Sequence, residues 1–152
     1  MPERLSKMYD PTLLPQVEKV LILNLGGTLK GPVSNYLSLG ELSIKPAFAF
    51  SIYATVEVEG EEASEIAELW RKLPRAEQMR CHVPPYGLRF YREGQMILEA
   101  SVCWRCNNIW TRAENNESVY TFDSSAEISQ RLLTRLHEIA ARNPPATRRR
   151  LP

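Results

Sequence analysis

The sequence predicts an α+β fold, an antiparallel β-meander sheet with two or three helices packed on one face in two layers. Three observations carry this reading. Between residues 88 and 122, short alternating runs succeed one another across tight polar turns, as strands paired with their chain neighbours do. Two other stretches, Glu61–Leu73 and the run after Ser124, carry apolar residues at helical spacing. A sheet with one apolar face must be covered, and these two helices are the available cover.

The first element is ambiguous. Asp10-Pro11 resembles an N-cap followed by proline at the first helical position. Leu14, Val17, Leu21 and Leu25 then recur at helical spacing, with Gly26-Gly27 as a stop. The run Val20-Leu21-Ile22-Leu23 reads equally well as a buried strand. Gly26, Gly27, Gly31, Pro32, Gly40 and Pro46 mark residues 26–46 as a long loop, with a short strand near Tyr36–Leu39. Phe48 to Val58 reads as a strand with Phe48, Phe50, Ile52, Ala54, Val56 and Val58 on one face. In the helix over Glu61–Leu73, Ile66, Trp70 and Leu73 form the apolar stripe, with Leu69 beside it. Glu61 and Glu62 in its first turn and Arg71 and Lys72 in its last suit the helix dipole, and Pro74 stops it.

Leu88–Arg92 passes through Glu93-Gly94 into Met96–Cys103, a hairpin signal. Ile109–Arg112 and Val119–Phe122 flank the polar turn Glu114-Asn115-Asn116-Glu117. Ser124-x-x-Glu127 reads as a capping box opening the last helix, with Ile128, Leu132, Leu136 and Ile139 as its stripe. Pro144-Pro145 ends it. The expected organisation is a single domain over residues 1–143 and a disordered, arginine-rich tail over 144–152.

Composition narrows the function classes. The chain has 152 residues, 43% hydrophobic and 24% charged, as a globular domain does. The net charge of +1 rests on the tail. Without Arg148, Arg149 and Arg150 the body holds 16 basic and 18 acidic residues, net −2. That is not the clustered basic footprint of a nucleic-acid binder. No signal peptide is visible and the longest apolar run is too short to cross a bilayer. A cytoplasmic location, with no membrane partner, is therefore expected. Thiols stay reduced there unless catalytic or redox-sensing.

All three cysteines lie between Cys81 and Asn108. Cys103-x-x-Cys106 has the spacing of half a zinc site, with Cys81 as a third ligand and His82 or His137 as a fourth. His82 is an awkward partner for Cys81, because adjacent strand residues point to opposite faces. The same pair could be a thiol redox centre, although no helix pattern follows it. Otherwise the thiols are small buried hydrophobes. A Cys81 nucleophile with His137 as base and Asp123 as orienter has no support from spacing. Gly26-Gly27-Thr28-Leu29-Lys30-Gly31 lacks the Gly-Lys-Ser/Thr of a phosphate loop.

A third reading is a binding face. Tyr86, Arg89, Tyr91, Trp104, Arg105, Asn107, Asn108, Trp110 and Arg112 belong to this region, and Tyr, Trp and Arg are the types enriched at interface hot spots. Trp70 and Phe90 are assigned to the core.

Leu69-Trp70 through Leu73-Pro74, Cys81-His82-x-Pro84, Gly87-Leu88-Arg89-Phe90-Tyr91 and Ser101-x-Cys103-Trp104-x-Cys106-Asn107-Asn108-Ile109 together resemble a pattern in small uncharacterised bacterial proteins, over about residues 69–110. Small bacterial domains of this build are often toxin-immunity proteins, an implication of size and style rather than of a shared catalytic motif.

The expectation is a non-enzymatic protein-binding domain without cofactor, an immunity protein that inhibits a cognate toxin. Glu114, Glu117 and Asp123 would steer it toward a basic partner. The alternatives are a zinc domain built on Cys81, Cys103 and Cys106, or a Cys-x-x-Cys redox protein.

Overall fold

The computed structural model describes residues 9–28, 36–38, 49–77, 82–114 and 116–145. Cys81, residues 29–35 and 39–46 of the expected loop, Phe48 of the expected strand, Asn115 of the expected polar turn and the tail from residue 146 lie outside them. After a short 3-10 turn at Pro11–Leu13 come β1 (Lys19–Thr28), β2 (Tyr36–Ser38), β3 (Ala49–Glu59), α1 (Gly60–Arg71), β4 (Tyr86–Arg92), β5 (Gln95–Cys103), β6 (Asn108–Ala113), β7 (Asn116–Thr121) and α2 (Glu127–Ala140). The strands form one antiparallel sheet in the order β2-β3-β1-β4-β5-β6-β7. The α+β class and the meander from β4 to β7 are as the sequence predicts. Among the described residues, no helix is long and apolar enough to cross a membrane.

The ambiguous first segment is a strand. Asp10 caps only the 3-10 turn, accepting from Thr12 N. β1 then inserts between β3 and β4 near the middle of the sheet, where an apolar run is buried on both faces and reads without alternation. Glu93-Gly94 forms the two-residue turn, both residues at positive φ (53° and 77°), the geometry a tight hairpin demands.

Both helices cover one face. Ile66, Trp70, Leu132, Leu136 and Ile139 pack on Val20, Ile22, Val58, Leu88, Phe90, Leu98 and Ile109 in one buried cluster. Trp70 is central, with its ring 5.0 Å from that of Phe90 and its indole N–H donating to Tyr9 Oη at 2.9 Å. Burial pushes the Tyr9 phenol up to about 12.

Two local expectations are overturned. Phe50 and Ile52 do not share a face with Val56 and Val58. Asn24 opposes Ala54 while Leu25 opposes Ile52, so Tyr53 is the extra residue of a β-bulge. The bulge reverses the alternation and sends Phe50 and Ile52 to the face away from the helices, where they join Leu23 and Leu25 in a second buried cluster. The capping box is also absent. Ser124 Oγ donates to Asn107 Oδ1 instead, and α2 starts from Ala126 with no side-chain cap. Asp123 Oδ1 takes Ser125 N and Oγ, while Ser129 Oγ bonds Asp123 O.

The β7 edge is partly closed, with Tyr9 N bonded to Val119 O and Ala76 N to Thr121 O, which blunts strand addition there.

Deleting Tyr53 should restore regular alternation and carry Phe50 and Ile52 to the wrong side, costing more than about 3 kcal/mol by urea denaturation, whereas Tyr53→Ser should stay within about 1 kcal/mol.

Candidate functional site

The sheet face opposite the helices carries the unusual chemistry. Its residues lie in cross-strand rows fixed by register. One row reads Leu23, Gly87, Ser101, Trp110, Val119 from β1 to β7. Gly87 and Ser101 are small, and the imidazole of His82 lies against this row from the segment before β4. The ring stacks on Trp110 at 4.6 Å and meets Phe50 edge-on at 5.8 Å. Pro85 O accepts from Leu25 N, tying the same segment to β1.

His82 has polar partners on both ring nitrogens. Nδ1 is 2.7 Å from Asn108 Oδ1 and Nε2 is 2.6 Å from Ser101 Oγ. Burial pushes the imidazole down to about 4, against a smaller opposing effect of the Asn108 hydrogen bond. The neutral ring therefore donates from Nδ1 to Asn108 and accepts the Ser101 hydroxyl at Nε2, an assignment that follows from the partners. Ser101, His82 and Asn108 have the distances of a nucleophile, base and orienter. Ser101 and Asn108 are both 0% exposed, however, so no substrate reaches the hydroxyl in this conformation. The relay is a pin that fastens the 82–85 segment to β5 and β6.

A second row is ionic. From β3 to β7 it runs Glu57, Leu21, Arg89, Glu99, Arg112, Glu117. Glu99 is 3% exposed and sits between two guanidiniums. Arg89 Nε is 2.7 Å from its Oε2 and Arg112 Nη2 is 2.9 Å from its Oε1, with Glu117 at 4.0 Å from Arg112 Nη1. Lys19 Nζ lies 4.6 Å over the Tyr91 ring at the border of this row.

The nine residues expected to form a binding face separate by strand parity. Arg89, Tyr91, Trp110 and Arg112 lie on the face away from the helices and are half-buried. Arg105 is exposed on the β5–β6 turn. Tyr86 is buried on the helix side, its hydroxyl 2.6 Å from His137 Nδ1. Trp104 is also buried, donating to Ser129 O at 2.9 Å. Asn107, at φ 59°, holds the turn, and Asn108 belongs to the pin. Of the expected rim acids, Glu114 is exposed, Glu117 is in the ionic row and Asp123 is engaged ahead of α2. Sequence reasoning missed Ser101 and Glu99. A carboxylate inside the run Leu98-Glu99-Ala100 was the available signal for the second.

The cysteines give a further correction. Cys103 is a free, fully buried thiol, but Cys106 is disulfide-bonded, contrary to the expectation of reduced thiols. While that bond stands, Cys106 supplies no thiolate to a zinc set. Among the described residues no group of three or more His, Cys, Asp and Glu side chains converges as a metal site; Cys81 is not among those residues.

A separate concavity of about 340 Å³ opens between α1 and α2. Arg135 in its wall bonds Glu62, Glu65 and Glu138, which makes it a salt-bridged seam between helices.

Two outcomes follow from the geometry. The folded pKa of His82 lies below the unfolded value of about 6.5, so the unfolded chain binds the extra proton first and stability falls as pH drops from about 6.5 to about 4. Relative to His82→Gln, the wild type should lose about 3 kcal/mol across that window in urea titrations. Glu99→Gln should cost about 3 kcal/mol, because it leaves two half-buried guanidiniums facing a neutral amide; replacing the exposed Glu114 by Gln should cost nothing measurable.

No protein-family model matches the chain, and no curated protein or solved structure is significantly similar to it.

Proposed function

We propose that the protein is a non-enzymatic binding domain that recognises another protein through the sheet face opposite its helices. The observation that carries this is the ionic row: Arg89 and Arg112 stand half-exposed beside Tyr91 and Trp110, already held in place by Glu99. Arginine and aromatic side chains dominate interface energetics, and side chains ordered before contact lose less entropy on binding. The sealed Ser101 hydroxyl favours this reading over a hydrolytic one.

Inhibition of a secreted bacterial toxin is the form of binding that the resemblance to small bacterial domains implies. A basic partner would meet the exposed Glu114 near this face. Cytoplasmic action belongs to the same proposal. The Cys106 disulfide favours an oxidising compartment instead, so the native host's cytosolic and envelope fractions are both to be probed.

Tagged protein recovered from the native host should carry a stoichiometric partner. Tyr91→Ala should weaken that complex by about tenfold or more, and Glu127→Ala on the helix side should leave it unchanged. Recovery of the chain alone from both fractions, or equal loss in both variants, would refute the assignment.

A further inference from the structure

We propose that Asn116 is an acceptor for N-linked glycosylation, taking an oligosaccharide from a lipid-diphosphate donor. Asn116-Glu117-Ser118 has the Asn-x-Ser/Thr spacing of such a site, with no proline at the middle position. Of the seven asparagines in the chain it is the only one so placed. The chemistry needs two side chains at this spacing. The asparagine supplies the amide nitrogen that takes the sugar, and the hydroxyl two residues on is the group the transferring enzyme reads.

The fold leaves both groups open to that reaction. Asn116 begins β7 opposite Ala113, at the end of the β6–β7 hairpin, and is exposed, so the folded chain has room for a bulky group there. Ser118 is half-buried, and its backbone carbonyl, not its hydroxyl, accepts from Thr111 Oγ1. Among the described residues neither side chain is held in a hydrogen bond. Alternation along β7 places Asn116 and Ser118 on the side of buried Tyr120, and Glu117 on the opposite side in the ionic row. A sugar on Asn116 is therefore directed away from the row of Arg89, Glu99 and Arg112. It stands at the other end of β7 from Val119 and Thr121, where Tyr9 N and Ala76 N close the edge, and it screens the start of that edge from strand addition. The Cys106 disulfide is a separate observation in the same direction, because it favours an oxidising compartment, where chains that receive such sugars fold.

The step is a group transfer without oxidation or reduction. Asn116 Nδ2 attacks the anomeric carbon of the donor sugar. The new C–N bond forms as the bond from that carbon to the diphosphate oxygen breaks, and the lipid diphosphate leaves with the electron pair. One amide proton passes to a base of the transferring enzyme, so Nδ2 keeps one hydrogen and the side chain stays uncharged.

The test exports the full chain, by an appended leader, into a compartment that holds an oligosaccharyltransferase and its lipid-linked donor, beside a control acceptor that is modified in the same cells. Intact-mass and peptide mass spectrometry then read the product. The wild type should gain the mass of one donor oligosaccharide, carried on Asn116, and its urea midpoint should match that of the unmodified chain. Asn116→Gln and Ser118→Ala, both changes of side chains that hold nothing in the fold, should gain no sugar. An unmodified wild type, a sugar on any other asparagine, modification retained in either variant, or a lower urea midpoint for the glycosylated chain would each overturn the proposal.

Discussion

The interaction on which the rest of this molecule depends is the hold of β5 and β6 on one imidazole. The helices close one face of the sheet with an ordinary apolar core. Among the described residues no helix lies on the other face, and His82 bonds Ser101 and Asn108 there between the rings of Phe50 and Trp110. Two features of the sheet make room for it. The bulge at Tyr53 delivers Phe50 and Ile52 to this side, and the small residues Gly87 and Ser101 leave a shallow floor. A buried polar group is costly unless satisfied; here both ring nitrogens are satisfied, and the ring holds its segment in one place.

Much of the fold was legible because it rests on local signals. Glu93-Gly94 announced its hairpin, and the stripes of α1 and α2 announced a common apolar side. What was not legible depends on residues distant in sequence. Nothing near Tyr53 shows that it is an extra residue until β1 is laid beside β3. Ser124 looked like a helix cap, but its hydroxyl is taken by Asn107, which only the β5–β6 turn brings near. The site was half legible for a related reason. A window rich in Tyr, Trp and Arg located the right strands, yet Tyr86 and Arg89 differ in parity and face opposite layers. His82 could be judged an awkward zinc partner for Cys81, but its true partners lie 19 and 26 residues away.

The pin and the ionic row divide the labour of this face. The pin seals the part under residues 82–85, where reactive side chains lose contact with solvent. The row of Arg89, Glu99 and Arg112 leaves charged and aromatic groups half-exposed and fixed. The hydroxyl of Ser101 and the thiol of Cys103 are both fully buried, and the proposed recognition role rests on the ionic row. The buried Cys103 thiol touches the same segment, accepting from Val83 N at 3.4 Å.

The state of the His82 ring tests this account most directly. A long-range proton–nitrogen NMR spectrum distinguishes the two neutral tautomers and the imidazolium. The account requires an Nδ1–H ring with a slowly exchanging proton that stays neutral down to about pH 5. An Nε2–H ring, or one that titrates near 6.5 as a solvated imidazole does, would mean that Ser101 and Asn108 do not hold it and that the second face is not closed as described.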